Sequence, residues 1–338
     1  LACSYCYQTG RLKAGRVMQP ETLNRILSEI QRVSLGPVSL LWFGGEPTLV
    51  GLDKFRQAVE MAEARMAPRP VRHSLQTNAV LIDDRWAALL AKHRFGVTLS
   101  LDGPAELHDA RRVNHSGRGS HAAVMAALKA LTGQGIQPRA SCVVDEHTLP
   151  HPEALVDYFA ELGLHEVDFP PSMRVHAGQL DVRVGAEEHG RFMARVLDRW
   201  LALGRPDFRI RSLAGLVRRM AHRDPGFCKL EGDCSGYVTF AFDGDVYPCD
   251  EFSVFPEMRL GSVLHQPLDE ILDGPEAKRL FASWSALPRE CLDCRWLDLC
   301  RGGCPFERAM AGGVDRPSVL CEGLKILYGR MEEALAPA

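Results

Sequence analysis

The stretch VSLLWFGGEP, residues 38–47, joins a short apolar run to two glycines, a glutamate and a proline. An apolar run that stops at paired glycines is typical of a buried β-strand followed by a tight turn. Helical segments separate it from four further predicted strands at residues 72–77, 95–101, 139–144 and 166–169. Strands that alternate with helices predict a parallel α/β sheet, with ligand-binding loops at the carboxyl ends of the strands.

The composition excludes several functional classes. A chain of 338 residues is long enough for about two domains. Its 40 basic and 43 acidic residues give a net charge of −3, so a nucleic-acid partner is not expected. The apolar runs fall far short of the roughly 20 residues that span a bilayer, so no membrane partner is expected either.

The sequence pattern changes near residue 170. Residues 187–203 and 210–222 are predicted to form two helices, and the chain becomes rich in cysteine, glycine and proline from residue 228. Asp243-Gly244 indicates a hairpin turn. We therefore predict an α/β domain at residues 1–170, a helical bridge at 171–227 and a cysteine-rich domain at 228–338.

The cysteines form two groups. Eight of the 11 lie between Cys228 and Cys321, and Cys3 and Cys6 stand at the beginning of the chain. The remaining one, Cys142, lies in an apolar strand, which favours a buried core thiol. A long chain with clustered cysteines is more typical of a cytoplasmic metal protein than of a secreted disulfide scaffold. A lone CxxC such as the one at Cys3 and Cys6 is compatible with zinc, with a redox dithiol and with chance.

The segment Cys3-Ser-Tyr-Cys6 resembles the end of the CxxxCxxC motif of radical S-adenosylmethionine (SAM) enzymes. This resemblance implies a (β/α)6 partial TIM barrel whose first strand, and a first cluster cysteine four residues before Cys3, precede this sequence. Three cysteines would leave one iron of a [4Fe-4S] cluster open to SAM. If no such upstream cysteine exists, the chain is instead a degenerate, non-catalytic iron–sulfur or peptide-binding protein.

Three further segments match the family in order: the GGEP sequence at residues 44–47, Gln76-Thr77-Asn78, and residues 100–104. The resemblance implies that Glu46 accepts a hydrogen bond from the SAM ammonium, a charge-assisted contact. In the family, an arginine after the last segment contacts the SAM carboxylate. Arg112 fits that position, and Arg111 is the alternative. The implied SAM-binding residues are Gly44, Gly45, Glu46, Pro47, Ser100, Asp102 and Arg112.

The C-terminal spacing C-x9-G-x4-C followed by C-x2-C-x5-C-x3-C and a last cysteine matches the SPASM pattern of radical SAM peptide maturases. With Cys228 as an eighth ligand, the resemblance implies two fully ligated auxiliary [4Fe-4S] clusters and three clusters in all. The spacing is poor for a zinc ribbon. The implied ligands are Cys228, Cys234, Cys249 and Cys304 for the first auxiliary cluster, and Cys291, Cys294, Cys300 and Cys321 for the second.

Within the superfamily, the chain resembles the anaerobic sulfatase-maturating enzymes, which oxidise a peptidyl cysteine or serine to formylglycine. This resemblance implies a sulfatase substrate, a flavodoxin- or ferredoxin-type electron donor and Asp250 as the general base. Two positions depart from that family's usual sequence. Phe43 stands before GGEP, where the family commonly has glutamine, and Gln8 follows Tyr7, where the family commonly has an aromatic–Tyr pair after the third cluster cysteine. A maturase of a small ribosomally made peptide, forming a thioether or carbon–carbon crosslink or an epimer, is therefore the close alternative.

Overall fold

The computed structural model describes residues 1–6, 16–176, 179–232 and 234–336, so Tyr7 and Gln8 lie outside it. The described strands are β1 (Val38–Trp42), β2 (Val71–Thr77), β3 (Gly96–Ser100), β4 (Arg139–Ser141), β5 (Glu166–Asp168), β6 (Met173–His176), β7 (Gln179–Val182), β8 (Arg209–Ile210), β9 (Thr239–Phe240), β10 (Asp245–Tyr247) and β11 (Gly261–Ser262).

The described helices are α1 (Pro20–Val33), α2 (Leu52–Met66), α3 (Asp84–Lys92), α4 (Ala105–Asp109), α5 (His121–Gly133), α6 (Pro152–Glu161), α7 (Ala186–Leu203), α8 (Arg211–Met220), α9 (Leu268–Leu272), α10 (Pro275–Ser285), α11 (Arg289–Leu292), α12 (Leu297–Cys300), α13 (Pro305–Met310) and α14 (Cys321–Leu335). None of these described helices is long and apolar enough to cross a membrane.

The chain divides by packing into two compact units, and each draws on distant parts of the sequence. The first comprises residues 1–101, 112–138 and 235–280, and the second comprises residues 102–111, 139–234 and 281–338. Because this division follows spatial packing, it does not test the three predicted sequence domains, whose boundaries stay predictions.

The first unit contains three parallel strands. β2 pairs with both β1 and β3, so that Trp42 lies opposite Leu75 and Thr77 lies opposite Leu99. Helices α1 and α2 cover β1 through a core formed by Leu27, Val38, Ala62 and Met66. The carboxyl ends of all three strands are therefore at the same edge, as the sequence predicted.

Local signals placed the helix ends correctly in this unit. The Asp83 carboxylate accepts a hydrogen bond from the Trp86 backbone N–H at 2.9 Å and caps α3. Pro20 occupies the first turn of α1, where its missing N–H costs nothing. The predicted hairpin is also present, because β9 and β10 are antiparallel and Gly244 between them has φ +84°.

Helix α1 is bonded to the C-terminal part of the same unit. The Arg25 Nε donates to the Val263 carbonyl at 2.8 Å. The Leu268 backbone N–H donates to the Glu29 carboxylate at 2.8 Å, and Arg32 pairs with that carboxylate at 2.7 Å. The second face of α1 thus packs on residues 238–272, which sequence periodicity alone did not reveal.

The second unit also contains three parallel strands, with β5 between β4 and β8. Strand β8 was missed, because its two residues Arg209 and Ile210 were predicted to precede or begin a helix. Two paired residues leave no periodic signal in a sequence. The antiparallel pair β6 and β7 was missed as well.

Helices α7 and α14 approach at backbone contact distance in the second unit. A Cβ on Gly190 of α7 would lie 2.6 Å from the Gly323 carbonyl carbon. A Cβ on Gly323 would lie 2.7 Å from the Ala186 carbonyl carbon and 3.1 Å from the Gly190 nitrogen. Only glycine fits at these two positions, since real Cβ atoms do not approach backbone atoms so closely.

Candidate active site and metal centres

The Glu46 carboxylate is held by hydrogen bonds where β1 and β2 end. Its Oε1 accepts from the Thr48 hydroxyl and from the Thr77 hydroxyl, each at 2.7 Å. The Asn78 backbone N–H donates to Oε2 at 2.7 Å. A carboxylate oxygen has two lone pairs, so Oε2 retains acceptor capacity for a ligand. The network fixes the orientation of Glu46, and its contact with the SAM ammonium stays a prediction.

The glycines before Glu46 adopt conformations that other residues disfavour. The angle φ is +93° at Gly44 and +49° at Gly45. A Cβ on Gly44 would meet no atom within 4 Å, so the backbone conformation, not crowding, calls for glycine. Pro47 then begins a short 3-10 helix. Both glycines are exposed, which leaves their backbone accessible to a ligand.

The loop that carries Cys3 and Cys6 packs against an arginine. The Cys6 backbone N–H donates to the Cys3 carbonyl at 3.3 Å, and the Tyr5 side chain between them is buried. The Arg112 guanidinium carbon lies 5.1 Å from the centre of the Tyr5 ring, within cation–π range. Arg112 is therefore beside the predicted cluster loop. Ser100 is the half-buried last residue of β3.

Asp102 and Arg111 form a buried ion pair that the sequence did not indicate. The Arg111 guanidinium contacts Asp145 at 2.6 Å and Asp102 at 3.3 Å. The Val143 backbone N–H donates to the second Asp102 oxygen at 2.9 Å. Asp102 is 0% and Arg111 1% exposed, so loss of Arg111 would leave two buried carboxylates without the cation they share, costing about 3–5 kcal/mol. The predicted SAM contact of Asp102 stays a prediction.

Four of the predicted cluster ligands line one cavity in the second unit. The cavity has a volume of about 180 Å³, and Trp296, Leu297 and Tyr328 also contribute to its wall. A single water needs only about 10–15 Å³, so this cavity has room for a group of several atoms. The four ligands are Cys291, Cys294, Cys300 and Cys321.

The donor set of this cavity consists of four thiols. An all-thiol set suits an iron–sulfur cluster and also suits zinc, so the prediction of a cluster rests on the sequence spacing, which is poor for a zinc ribbon. Among the residues that the structure describes, Asp145, Glu146 and His147 also bring ligand-type atoms within 4.8 Å of one another.

Burial and hydrogen bonds control the protonation of the cavity thiols. Burial raises the pKa of Cys300 to about 11, although a hydrogen bond with the Tyr328 hydroxyl lowers it. Burial likewise raises the pKa of Cys291 and Cys321. The Trp296 backbone N–H donates to the Cys294 sulfur at 3.5 Å. Metal uptake must therefore displace protons from these thiols, and it is favoured by higher pH.

The other four predicted auxiliary ligands are distributed over both units. Cys228, Cys234 and Cys304 belong to the second unit, and Cys249 belongs to the first. Burial raises the pKa of Cys249, and the neighbouring Asp250 charge raises it further. The Asp250 carbonyl accepts a hydrogen bond from the Ser253 hydroxyl at 2.6 Å. The shared cluster of these cysteines and the role of Asp250 as a base stay predictions.

Sequence analysis missed Arg308 and Tyr328, although helical spacing offered a signal. Tyr328 follows Cys321 by seven residues on α14, so it shares a helix face with a predicted ligand, and Arg308 lies one turn after Cys304, the residue that precedes α13. Cys142, in contrast, is fully buried, as the sequence predicted.

Comparison with known proteins defines the class first. The model of the Radical SAM superfamily matches residues 1–162, and that of the SPASM iron–sulfur cluster-binding domain matches residues 233–295. The chain is therefore a radical SAM protein with an iron–sulfur-binding domain, and the predicted fold class is confirmed. SAM and iron–sulfur clusters are confirmed as the kinds of cofactor.

Two relatives and one solved structure then define the family. A serine-type anaerobic sulfatase-maturating enzyme of Klebsiella aerogenes is 30% identical to this chain, and the match covers 100% of this chain and 82% of the relative's length. A cysteine-type enzyme of Clostridium perfringens is 28% identical over 90% of this chain and 85% of its own. The structure of native anSMEcpe with bound AdoMet and Kp18Cys peptide superimposes with a TM-score of 0.90 at 27% identity, covering 99% of this chain and 94% of that one. The chain belongs to the anaerobic sulfatase-maturating enzymes.

Proposed function

We propose that this enzyme oxidises a cysteine or serine of a sulfatase to Cα-formylglycine, using SAM and three [4Fe-4S] clusters. The observation that carries this proposal is likeness over nearly the whole chain to a protein whose structure holds both AdoMet and a peptide. Relatives of the serine type and of the cysteine type match it about equally well. The substrate test therefore compares a cysteine peptide with its serine counterpart to identify the residue that this enzyme modifies.

SAM, when bound at the radical cluster, would supply a 5′-deoxyadenosyl radical able to remove a hydrogen atom from the substrate Cβ. The chain's own residues bind and orient the reactants. Cys3 and Cys6 ligate the radical cluster, Glu46 accepts a hydrogen bond from the SAM ammonium, and Arg112 pairs with the SAM carboxylate. Their fixed orientation avoids reorganisation during the reaction.

Asp250 removes the proton from the substrate thiol or hydroxyl, and the auxiliary clusters, when bound, would take up the one electron that the substrate loses. The substrate thus loses a hydrogen atom, a proton and an electron, which together make a two-electron oxidation. With cysteine as substrate, water then hydrolyses the thioaldehyde and hydrogen sulfide is released. We assign the auxiliary clusters to the eight cysteines from Cys228 to Cys321.

A flavodoxin- or ferredoxin-type protein would exchange electrons with these clusters. The low reduction potentials that such clusters adopt suit a reducing compartment, and free thiols persist there. We therefore place the reaction in the cytoplasm.

The test uses enzyme expressed from its natural coding region and reconstituted anaerobically. It is incubated with SAM, a reductant and either a Cys-x-Pro-x-Arg peptide or its serine counterpart. We expect mass spectrometry to detect formylglycine together with 5′-deoxyadenosine. Iron analysis of the same sample should give about twelve irons per chain, four for each of three clusters.

A Cys3→Ala variant is the control, because it removes a ligand of the radical cluster and should abolish reductive SAM cleavage. SAM cleavage without modification of either sulfatase peptide would refute the sulfatase substrate. Crosslinking or epimerisation of a small peptide encoded beside the gene would then support the alternative maturase.

A further inference from the structure

Arg308 is a fully buried cation in the cysteine-rich part of the second unit. It lies on α13, and its backbone N–H donates to the carbonyl of the predicted ligand Cys304 at 3.0 Å. Its side chain is 1% exposed. The Nη1 atom donates to the Val314 carbonyl at 3.0 Å, and Nη2 donates to the Trp284 carbonyl. These two bonds fix the plane of the guanidinium.

The Nε–H of this guanidinium is a donor that requires an acceptor. The Arg308 Nε is buried without a hydrogen-bond acceptor among the described residues. No carboxylate of those residues lies within ion-pair distance of Arg308, and its neighbour Glu307 is paired with Lys229 at 2.8 Å. An unsatisfied buried donor costs about 1–3 kcal/mol, and more when it is charged. This cost favours an acceptor that the polypeptide itself does not provide.

The surroundings identify the kind of acceptor. Burial lowers the pKa of Arg308, whereas the nearby thiols oppose this change and raise it. Two of these thiols belong to each predicted auxiliary cluster, so the guanidinium is close to both ligand sets. The four thiols are Cys234, Cys291, Cys300 and Cys304. Among them, Cys291 acts most strongly on the cation.

We propose that Arg308 is a positioning residue that tunes the auxiliary clusters. Its Nε–H donates to a cluster sulfur, and its charge balances the negative charge of both clusters. A nearby cation stabilises the reduced form of a cluster, which is the more negative form, so Arg308 raises both reduction potentials. The single electron that the substrate radical loses would then enter the auxiliary clusters more readily, on its way to the external carrier. This inference rests on the ligand assignment of the proposed function.

The experiment measures reduction potentials by EPR-monitored redox titration. It uses the full enzyme in a Cys3→Ala background, so that the auxiliary clusters give the remaining signals. We expect Arg308→Met to shift the reduction equilibrium of the auxiliary clusters at least tenfold toward the oxidised form. For a one-electron couple, this shift corresponds to a fall of about 59 mV in the reduction potential. Arg308→Lys, which keeps the charge but lacks Nε, should produce a smaller shift in the same direction.

Arg295→Met is the matched control. Arg295 follows the predicted ligand Cys294, but its side chain is 67% exposed and paired with Glu332 at 2.7 Å. Solvent and counterions screen such a charge, so this variant should leave the potentials within a twofold change of the equilibrium. A shift as large as that of Arg308→Met would overturn the specific role of Arg308.

The remaining outcomes are also decisive. Unchanged potentials in both Arg308 variants would overturn the inference alone, because the auxiliary clusters would still be present. If Arg308→Met loses iron, the reduction potentials of the Arg308→Lys variant are the deciding measurement. Lowered potentials support the inference, whereas unchanged potentials, or an equal loss of iron, overturn it. Absence of two auxiliary signals in the parent enzyme would instead contradict the ligand assignment, and the inference with it.

Discussion

Replacement of Gly190 by alanine tests the backbone contact between α7 and α14. The added Cβ would lie 2.6 Å from the Gly323 carbonyl carbon, a backbone atom that cannot rotate away. One helix must therefore shift. Overpacking of this kind costs about 1–3 kcal/mol, and we expect the upper end because no flexible side chain can absorb it.

Helix propensity partly offsets this cost. Alanine is favoured over glycine inside a helix by about 0.8–1 kcal/mol. The expected net destabilisation is thus about 2 kcal/mol, or roughly a 30-fold fall in the ratio of folded to unfolded protein. Because α14 begins at Cys321, the same shift should also lower the iron content.

Gly329→Ala, on the partner helix α14, is the control, since its Cβ would meet nothing within 4 Å. It should stabilise the enzyme by about 0.5–1 kcal/mol. Thermal unfolding followed by circular dichroism, with iron analysis, compares the two variants. If Gly190→Ala is as stable as Gly329→Ala, the close approach of the two helices is not rigid and the reasoning fails.

Three further predictions concern the site and the packing of α1. Asp250→Asn should slow peptide modification at least tenfold while uncoupled SAM cleavage continues, because a general base contributes about 10²–10⁴-fold; equal loss of both products would argue against a substrate base. Tyr328→Phe should lower the reduction potential of the cluster bound by Cys300, because it removes a hydrogen bond to that sulfur; an unchanged EPR titration would contradict this role. Burial raises the pKa of Glu29, but the Leu268 N–H and Arg32 lower it more, so the net shift is downward. The ionised Glu29 carboxylate contributes fully to the free energy of unfolding above about pH 4.5, and this contribution is lost as the pH falls through the lowered pKa. The difference in thermal midpoint between the parent enzyme and Glu29→Gln should shrink below that pH, and a constant difference would refute the linkage.

Local chemistry explains which features the sequence predicted well. The turn at Gly44 and Gly45 needs positive φ, and an apolar strand precedes it, so adjacent residues carry the whole signal. The second-cluster cysteines follow a fixed spacing that brings them to one cavity. The parallel strands follow from alternating helical and strand patterns.

Features that depend on tertiary packing were not predictable in the same way. Arg111 pairs with Asp145, which is 34 residues away and gives no pattern in the sequence. Strand β8 has two residues and exists because β5 offers an edge for pairing. Arg308 has an ordinary helical position, and only its burial distinguishes it from a surface arginine.

The bonds of α1 have a consequence for the order of synthesis and folding. Arg25 and Val263 are separated by 238 residues. At a translation rate of about 5–20 residues per second, Val263 is made roughly 12–48 s after Arg25. During that interval the α1 surface that will cover residues 238–272 has no partner. The first packing unit therefore completes only after most of the chain has been synthesised, and the nascent amino-terminal half must stay soluble with one helix face uncovered.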